Sequence, residues 1–186
     1  VPRRSAQTAM YHIIRSMVRW IAPIISFTAD ELWQHLPDEA VESVFLAQWY
    51  QHLELLPDDT MLGHEYWGKV MSVKNAVNKA VEGVRSKGVI GGSLEAEVTL
   101  YCDAALTEQL HHLGNELRFA LITSTAKIKP LVESIDAMET EVDGLKIAVV
   151  KSANPKCARC WHHRVDVGTN FGQPELCGRC VENIDG

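Results

Sequence analysis

Four cysteines near the end of this 186-residue chain have the spacing of metal ligands. Cys157 and Cys160 form one Cys-x-x-Cys pair, Cys177 and Cys180 form a second, and sixteen residues separate the pairs. Two residues between cysteines allow a tight turn that points both sulfurs inward, so two such turns can complete a tetrahedron around Zn²⁺. Because four thiolates leave no open position for a substrate, the spacing predicts one structural zinc ion rather than a catalytic one.

Other arrangements of these residues compete with four-thiolate zinc. Two disulfides would leave the fifth cysteine, Cys102, unpaired, and Cys-x-x-Cys pairs outside the secretory route more often bind metal. A rubredoxin-like iron site would use the same four sulfurs. His162 or His163 could replace one cysteine, but four thiolates already fill the site, so we expect both rings to be solvated or to face nucleic acid. We expect Cys102 to be an inert buried thiol.

The composition, with 46% hydrophobic and 23% charged residues, is that of a soluble globular protein, and no segment is expected to span a membrane. A net charge of −6 argues against a general nucleic-acid binder. The cations are nevertheless concentrated in two stretches without carboxylates, residues 1–29 and 151–164. This distribution favours a polyanionic partner, although such charge runs are commonly solvated faces.

The first part of the chain has the pattern of two helices. Apolar residues recur at helical spacing over residues 10–21, and Pro23 ends that helix. Thr28 and Glu31 have the spacing of a capping box, which predicts a second helix from about residue 29 until Pro37 stops it. Two helices are too few to bury one another, so we expect a partial helical bundle cut from a larger protein.

The middle of the chain mixes helices and strands. Valines at every third or fourth position predict a long helix over about 62–87, closed by Gly88 in a left-handed conformation. Strict alternation predicts a strand at 94–101, and a helix is expected over about 104–121. Segments near 125–132 and 145–151 are predicted as strands that pair with the first.

These elements predict an α+β protein with three parts. Residues 1–60 are expected to be the end of a helical bundle, residues 61–152 a small α+β junction domain, and residues 153–186 a four-cysteine zinc module.

Three stretches together resemble the carboxy-terminal end of the bacterial-type isoleucyl-tRNA synthetases. Residues 21–33 (IAPIISFTADELW) are similar to the anticodon-binding bundle of class I synthetases for aliphatic amino acids. Residues 78–82 and 90–96 are similar to the junction that follows the bundle. The pair of Cys-x-x-Cys turns with Trp161 resembles the terminal zinc module of the isoleucine enzymes, and this third element distinguishes them from the valine and leucine enzymes.

The resemblance implies part of a cytoplasmic, monomeric class I ligase that uses ATP to join isoleucine to its tRNA. The HIGH and KMSKS motifs of the catalytic domain do not occur in these 186 residues, so the fragment is expected to be inactive alone. Its implied role is to hold the isoleucine acceptor tRNA and to position the anticodon stem-loop. A metal other than the one structural Zn²⁺, or another cofactor, is not implied.

Candidate tRNA contacts lie near both ends of the chain. Trp161 follows a metal ligand directly, so coordination would fix it for stacking on an unpaired base. Alternatively, it packs as a small core against the zinc knuckle, which the two cysteine turns form. Phosphate contacts are predicted for five arginines, which are otherwise solvated cations: Arg159, Arg164, Arg179, Arg15 and Arg19. The last two are one helical turn apart and could bracket one phosphate.

A different class of function is a zinc-dependent module for protein–protein interaction, in which the basic stretches are incidental. Salt separates the two hypotheses, because RNA binding weakens steeply with added salt and an apolar interface does not. A free-standing hydrolase or transferase has little support, since the chain has no recognisable Ser/His/Asp arrangement, glycine-rich phosphate loop or H-E-x-x-H helix.

Overall fold

Helices make up the first part of the chain and a mixed sheet dominates the second. The computed structural model describes residues 2–37, 41–58 and 61–185. The chain divides into two compact units, Val1–Leu56 and Pro57–Gly186. The boundary expected at residue 60 lies outside the described residues, and the three-part division remains a prediction.

The first unit is built on two helices, α1 (Pro2–Ile21) and α2 (Ser26–Gln34), followed by a 3-10 turn at Val44–Leu46. Its small core consists of Val18, Ala22, Ala29, Trp33 and Val44. The Trp33 indole Nε1 donates a hydrogen bond of 2.9 Å to the carbonyl oxygen of Val41, which holds the chain after α2 against the two helices.

The expected capping box at the start of α2 is wrong. The helix begins at Ser26, and Ile25 precedes it without a side-chain cap. Phe27, which a hydrophobic contact at the start of a capped helix would bury, is 94% exposed. The cause is the tight turn after α1, in which the backbone N–H groups of Ile24 and Ile25 both donate to the carbonyl oxygen of Ile21. The chain enters α2 directly from this turn, so Thr28 is already inside the helix.

The long helix expected in the second unit is confirmed as α3 (His64–Arg85). Its buried face includes Val70, Val73, Val77 and Val81. Gly88 closes it at φ 72°, with the Val89 N–H donating to the carbonyl oxygen of Val84, which is the left-handed cap that the sequence predicts.

Over the described residues, four strands form one mixed sheet, β1 (Ala96–Cys102), β2 (Thr125–Pro130), β3 (Met138–Glu139) and β4 (Leu145–Lys151), in the order β2-β1-β4-β3. Strand β1 pairs in parallel with β2 and antiparallel with β4, which confirms the predicted partners. Alternate residues of β1, starting with Ala96, are buried under α3 and the following helices. The two-residue strand β3 was not expected, because so short a strand has no sequence period.

The single helix expected over 104–121 is wrong. The structure has α4 (Ala104–His111), a 3-10 turn at Gly114–Glu116 and α5 (Leu117–Leu121). Gly114 has φ 47°, which breaks the helix. Leu110 and Leu117 are both buried on either side of the break, so the apolar spacing did not reveal it.

The last helix, α6 (Gly178–Asp185), belongs to the zinc module. The α+β fold class with a cysteine knuckle is confirmed. Cys102 is buried at the end of β1, and burial raises the pKa of its thiol to about 12, as expected of an inert cysteine. None of the helices in the described ranges is long and apolar enough to cross a membrane.

We predict opposite effects for alanine at two glycines of the second unit. Gly144 has φ 74°, and a Cβ there would overlap with the Asp103 carboxylate, which caps α4 by accepting from the Leu106 N–H at 2.8 Å. Gly144→Ala should therefore destabilise the fold, by about 1–2 kcal/mol from the backbone strain alone. Gly68→Ala, at an open position inside α3, should stabilise it by up to about 1 kcal/mol.

Urea unfolding of both variants tests this pair. A loss of stability at both positions would contradict the backbone argument.

Candidate metal centre and nucleic-acid interface

Backbone hydrogen bonds shape each cysteine pair into a tight turn. In the first turn the Trp161 N–H donates to the carbonyl oxygen of Cys157 at 2.9 Å. In the second, the Cys180 N–H donates to the carbonyl oxygen of Cys177, also at 2.9 Å. Trp161 itself has φ 65°, a left-handed conformation that turns the chain back immediately after the ligand Cys160. Both turns point their sulfurs toward one centre.

The four sulfurs fit one tetrahedral zinc ion. They all lie within 4.8 Å of one another, and those of Cys160 and Cys177 are 3.7 Å apart. A tetrahedron with Zn–S bonds of about 2.3 Å has edges of about 3.8 Å. All five cysteines are free thiols, so the alternative of two disulfides is wrong. Within the described ranges, these four are the one group of side chains that could hold a metal ion.

The thiols of the cluster do not ionise equally. Burial acts to raise the pKa of Cys157, but backbone N–H groups, including that of Cys177 at 3.3 Å, donate to its sulfur and lower the pKa to about 6. Burial raises the pKa of Cys160 to about 12 and also raises that of Cys180. A thiolate must therefore form at Cys160 and Cys180 as the metal binds.

His162 is not solvated, which corrects the expectation for that ring, whereas His163 is half-buried and lines an open recess beside Trp161. His162 is buried, its Nδ1 lies 3.1 Å from the carbonyl oxygen of Cys160, and its ring contacts Phe119 edge-on at 5.1 Å between centroids. The Nδ1 of His163 lies 2.7 Å from the carbonyl oxygen of Asn154. Both rings brace the turn, and neither belongs to the group of possible ligands.

Polar contacts fasten the zinc module to one end of the sheet. Glu97, on β1, accepts hydrogen bonds from the Ser152 hydroxyl at 2.7 Å and from the Asn154 amide at 3.0 Å. Ser124, just before β2, is fully buried and accepts from the backbone N–H of His163 at 2.6 Å. The knuckle is thus held on the strands that precede it.

Trp161 lies on the surface and not in the small core of the knuckle. Its side chain is 60% exposed, and the buried cluster around the cysteines does not include it. The alternative that Trp161 fills that core is therefore wrong. The Lys156 Nζ lies 5.2 Å from the indole centroid, and both side chains line an open recess of about 330 Å³ together with Gly91 and Gly92.

The three arginines predicted in the zinc module occupy different environments. Arg159 is exposed, and its guanidinium donates to the carbonyl oxygen of Cys180 at 3.4 Å. The Nε of Arg164 lies 3.6 Å from an oxygen of Asp166. Arg179 is exposed on α6, with its guanidinium carbon 4.2 Å from the ring centroid of Phe119. Their contacts with tRNA remain predictions.

Sequence reasoning missed Arg118, on α5. Its guanidinium carbon also lies 4.2 Å from the centroid of the Phe119 ring, so Arg118 and Arg179 meet at one aromatic side chain. The two arginines are sixty-one residues apart in the chain. No spacing pattern links them, because α5 and the zinc module come together only through the fold.

The arginine pair of the first unit holds a loop in place. Arg19 donates to the carbonyl oxygen of Gln48 at 2.8 Å, and its guanidinium carbon lies 4.5 Å from the Trp33 ring centroid. Arg15 donates to the Tyr11 hydroxyl and lies 5.4 Å from the ring centroid of Tyr50. A shared role in bracketing a phosphate stays a prediction for both.

A helical unit followed by a mixed sheet and a four-sulfur knuckle defines a zinc-bearing α+β protein. Residues 2–100 match the family described as the anticodon-binding domain of tRNA ligase, and residues 154–183 match the zinc finger found in FPG and IleRS. The chain belongs to this anticodon-binding family of tRNA ligases. Its zinc-finger match and its sulfur cluster fit one structural Zn²⁺.

Among known proteins, isoleucine–tRNA ligases are similar to the whole chain. That of Pseudomonas paraeruginosa strain PA7 is 59% identical over 187 aligned residues, and that of Pseudomonas fluorescens strain Pf0-1 is 60% identical over 185. These alignments cover 100% and 99% of this chain but 20% of each relative. The chain therefore spans about a fifth of the length of these curated relatives.

We predict that Cys160→Ser abolishes zinc binding and unfolds residues 156–186, while the sheet and helices before them stay folded. Coordination energy in small zinc modules is folding energy, of order 10–16 kcal/mol in zinc-finger peptides. Elemental analysis and hydrogen exchange measure the two effects. Cys102→Ala, which removes a thiol outside the cluster, is the control and should retain zinc. Loss of exchange protection throughout the second unit would show that the module does not unfold independently.

We also predict that zinc binding at pH 7 releases at least two protons, since the raised pKa values of Cys160 and Cys180 keep both thiols protonated without metal. Zinc affinity should fall as the pH is lowered, and more steeply below about pH 6, where Cys157 also takes up a proton. Calorimetry in buffers of different ionisation enthalpy counts the protons. Affinity that does not change with pH would contradict the assignment of thiols as ligands.

Proposed function

We propose that this chain binds the isoleucine acceptor tRNA as the carboxy-terminal part of an isoleucine–tRNA ligase. In this role it holds the anticodon stem-loop while a class I catalytic domain outside these residues attaches isoleucine with ATP. The whole-chain similarity to isoleucine–tRNA ligases supports the parent enzyme. The exposed indole of Trp161, fixed beside a metal ligand, is the observation that carries the role in RNA binding.

Anticodon bases are suited to a surface of this kind. They are unstacked in a loop, so a protein can read them by stacking an aromatic ring and bonding to their exposed edges. The backbone of Trp161 is held by the turn around Cys157 and by coordination at Cys160, so little further ordering is needed when a base stacks on it. Lys156, beside the indole, adds a positive charge where the attached phosphate would lie.

The four cysteines Cys157, Cys160, Cys177 and Cys180 act in this proposal as structural ligands. Zinc holds the turn that presents Trp161 and the segments that carry the arginines of the module. Arg159, Arg164 and Arg179 then supply phosphate contacts, which concentrate positive charge locally on a chain whose net charge is −6. Catalysis is assigned to no residue of this chain.

We infer that the parent enzyme acts in the cytoplasm as a monomer. The 186-residue chain alone should bind tRNA and should not aminoacylate it. The alternative of a zinc-dependent protein–protein module is less well supported, because the family matched by residues 2–100 is one that binds anticodons. A steep loss of tRNA affinity with added salt favours RNA binding over an apolar protein interface.

We predict that Trp161→Ala weakens binding of an isoleucine-acceptor tRNA transcript by about 1–3 kcal/mol, the usual contribution of one stacked base. Phe171→Ala is the matched control, since Phe171 is a fully exposed aromatic residue of the same module. Fluorescence anisotropy at several salt concentrations measures both affinities, and elemental analysis verifies that each variant retains zinc.

The control should bind as the unchanged chain does. Equal losses for the two variants would mean that any exposed ring of the module contributes, and full affinity of Trp161→Ala would remove the indole from the interface. Binding that does not respond to salt would favour the protein–protein alternative.

A further inference from the structure

Two cations converge on Phe119 where α5 meets the zinc module. The guanidinium carbons of Arg118 and Arg179 each lie 4.2 Å from the centre of the ring, and His162 contacts the ring edge-on. The two guanidinium groups are therefore no farther apart than twice that distance. Phe119 is half-buried, so it fixes the position of both cations at the surface.

A third cation, Arg164, lies near the start of α6: its Nε is 3.6 Å from one oxygen of Asp166, whose other oxygen accepts from the N–H of Gly178, the residue before Arg179. Burial lowers the pKa of Arg118, and the positive charges of Arg164 and Arg179 lower it further. The cations are thus close enough to repel one another, which is unfavourable unless an anion lies among them.

The carboxylates nearby do not match these cations in number or position. Asp166 lies 3.6 Å from Arg164, but its other oxygen accepts from the backbone N–H of Gly178 at 2.9 Å. Glu116 and the sulfur of Cys177 act on Arg118 only through space. Within the described ranges, the Arg179 guanidinium has no hydrogen-bond acceptor, and Arg118 uses only its Nε, toward the carbonyl oxygen of Asn115 at 3.3 Å.

The contact with Phe119 leaves N–H donors of each guanidinium available. The central carbon of each guanidinium lies 4.2 Å from the ring centre, and the five N–H donors of the group point outward from that carbon. Arg118 and Arg179 can therefore keep their contact with Phe119 and still donate to an anion. A phosphodiester group has two non-bridging oxygens that share one negative charge, and these can accept from two guanidinium groups.

We infer that Arg118, Arg164 and Arg179 form a binding site for one backbone phosphate of RNA. The inference rests on the proposed function. It adds Arg118, which lies outside the zinc module, and it places one phosphate at the surface beside Phe119. Arg118 comes from α5, Arg164 from the loop after the first cysteine pair, and Arg179 from α6. A phosphate at this site would be held jointly by the sheet part of the second unit and by the zinc module.

The tetrathiolate zinc centre offers another explanation for the same charges. Four thiolates and one Zn²⁺ carry a formal charge of −2, which nearby arginines would offset. In that case removal of Arg118 would weaken zinc binding and would leave the binding of phosphate and RNA unchanged. The two explanations therefore predict different losses when Arg118 is replaced: affinity for phosphate and RNA if the arginines bind a phosphate, and affinity for zinc if they offset the charge of the metal centre.

The first experiment uses inorganic phosphate as the probe and does not depend on tRNA. The zinc-loaded chain, labelled with ¹⁵N, is titrated with phosphate while the arginine Nε–H signals are followed by NMR. The signals of Arg118, Arg164 and Arg179 should shift together and saturate. Arg85, whose guanidinium is held by Glu82 at 2.7 Å and 2.9 Å, is the internal control and should not shift. Absence of a saturable shift at the three arginines would overturn the site.

The second experiment measures the affinity of an isoleucine-acceptor tRNA transcript against salt concentration. Arg118→Gln should weaken binding about tenfold at low salt and reduce the slope of log affinity against log salt by about one. Arg118→Lys keeps the charge and should keep the slope, and Arg85→Gln should behave as the unchanged chain. Elemental analysis verifies that each variant retains its zinc.

The outcomes separate this site from the proposed function. An unchanged chain that binds phosphate at the three arginines but does not bind tRNA would contradict the proposed function and leave the anion site standing. Arg118→Gln with an unchanged salt slope and a lowered zinc affinity would assign the arginines to the metal centre and overturn the inference.

Discussion

Coordination of one metal ion by four sulfurs is the interaction on which the end of this chain depends. The buried cluster around Cys157, Cys177 and Cys180 contains few other apolar residues, too few to fold thirty residues without the metal. Both histidines beside the first pair brace its turn, and Ser124 and Glu97 fasten the turn to the sheet. The position of every candidate RNA-binding side chain in the module therefore follows from the tetrahedron of sulfurs.

The sheet holds the zinc module in a fixed position through hydrogen bonds to Glu97 and Ser124. Strand β1 lies between β2 and β4, its alternate side chains are buried under the helices, and its opposite face contributes Glu97 to the module. Residues that are far apart in sequence consequently meet at one surface, as Arg118 and Arg179 do on the ring of Phe119. The candidate interface belongs to the sheet and the knuckle together and not to the knuckle alone.

Local patterns predicted much of this structure because they have a short-range physical cause. The period of α3, the alternation of β1 and the two cysteine turns are each set by residues within a few positions of one another. The break at Gly114 was missed because Leu110 and Leu117 keep a helical spacing across it. Burial of His162 and the convergence on Phe119 depend on contacts between distant segments, for which no spacing rule exists. The capping-box prediction failed because the hydrogen-bonded turn after α1 sets the first residue of α2 at Ser26. Thr28 therefore lies inside the helix and cannot cap it.

The edges of the sheet have a consequence for the behaviour of the chain in solution. An open edge strand exposes unpaired backbone groups that can pair with another molecule and start aggregation. Here one edge, β3, is only two residues long, and the other, β2, carries the exposed side chains of Lys127 and Lys129 and ends in Pro130, which has no N–H to donate. Both edge strands are therefore poor templates for strand addition, which disfavours edge-to-edge aggregation through β2 or β3.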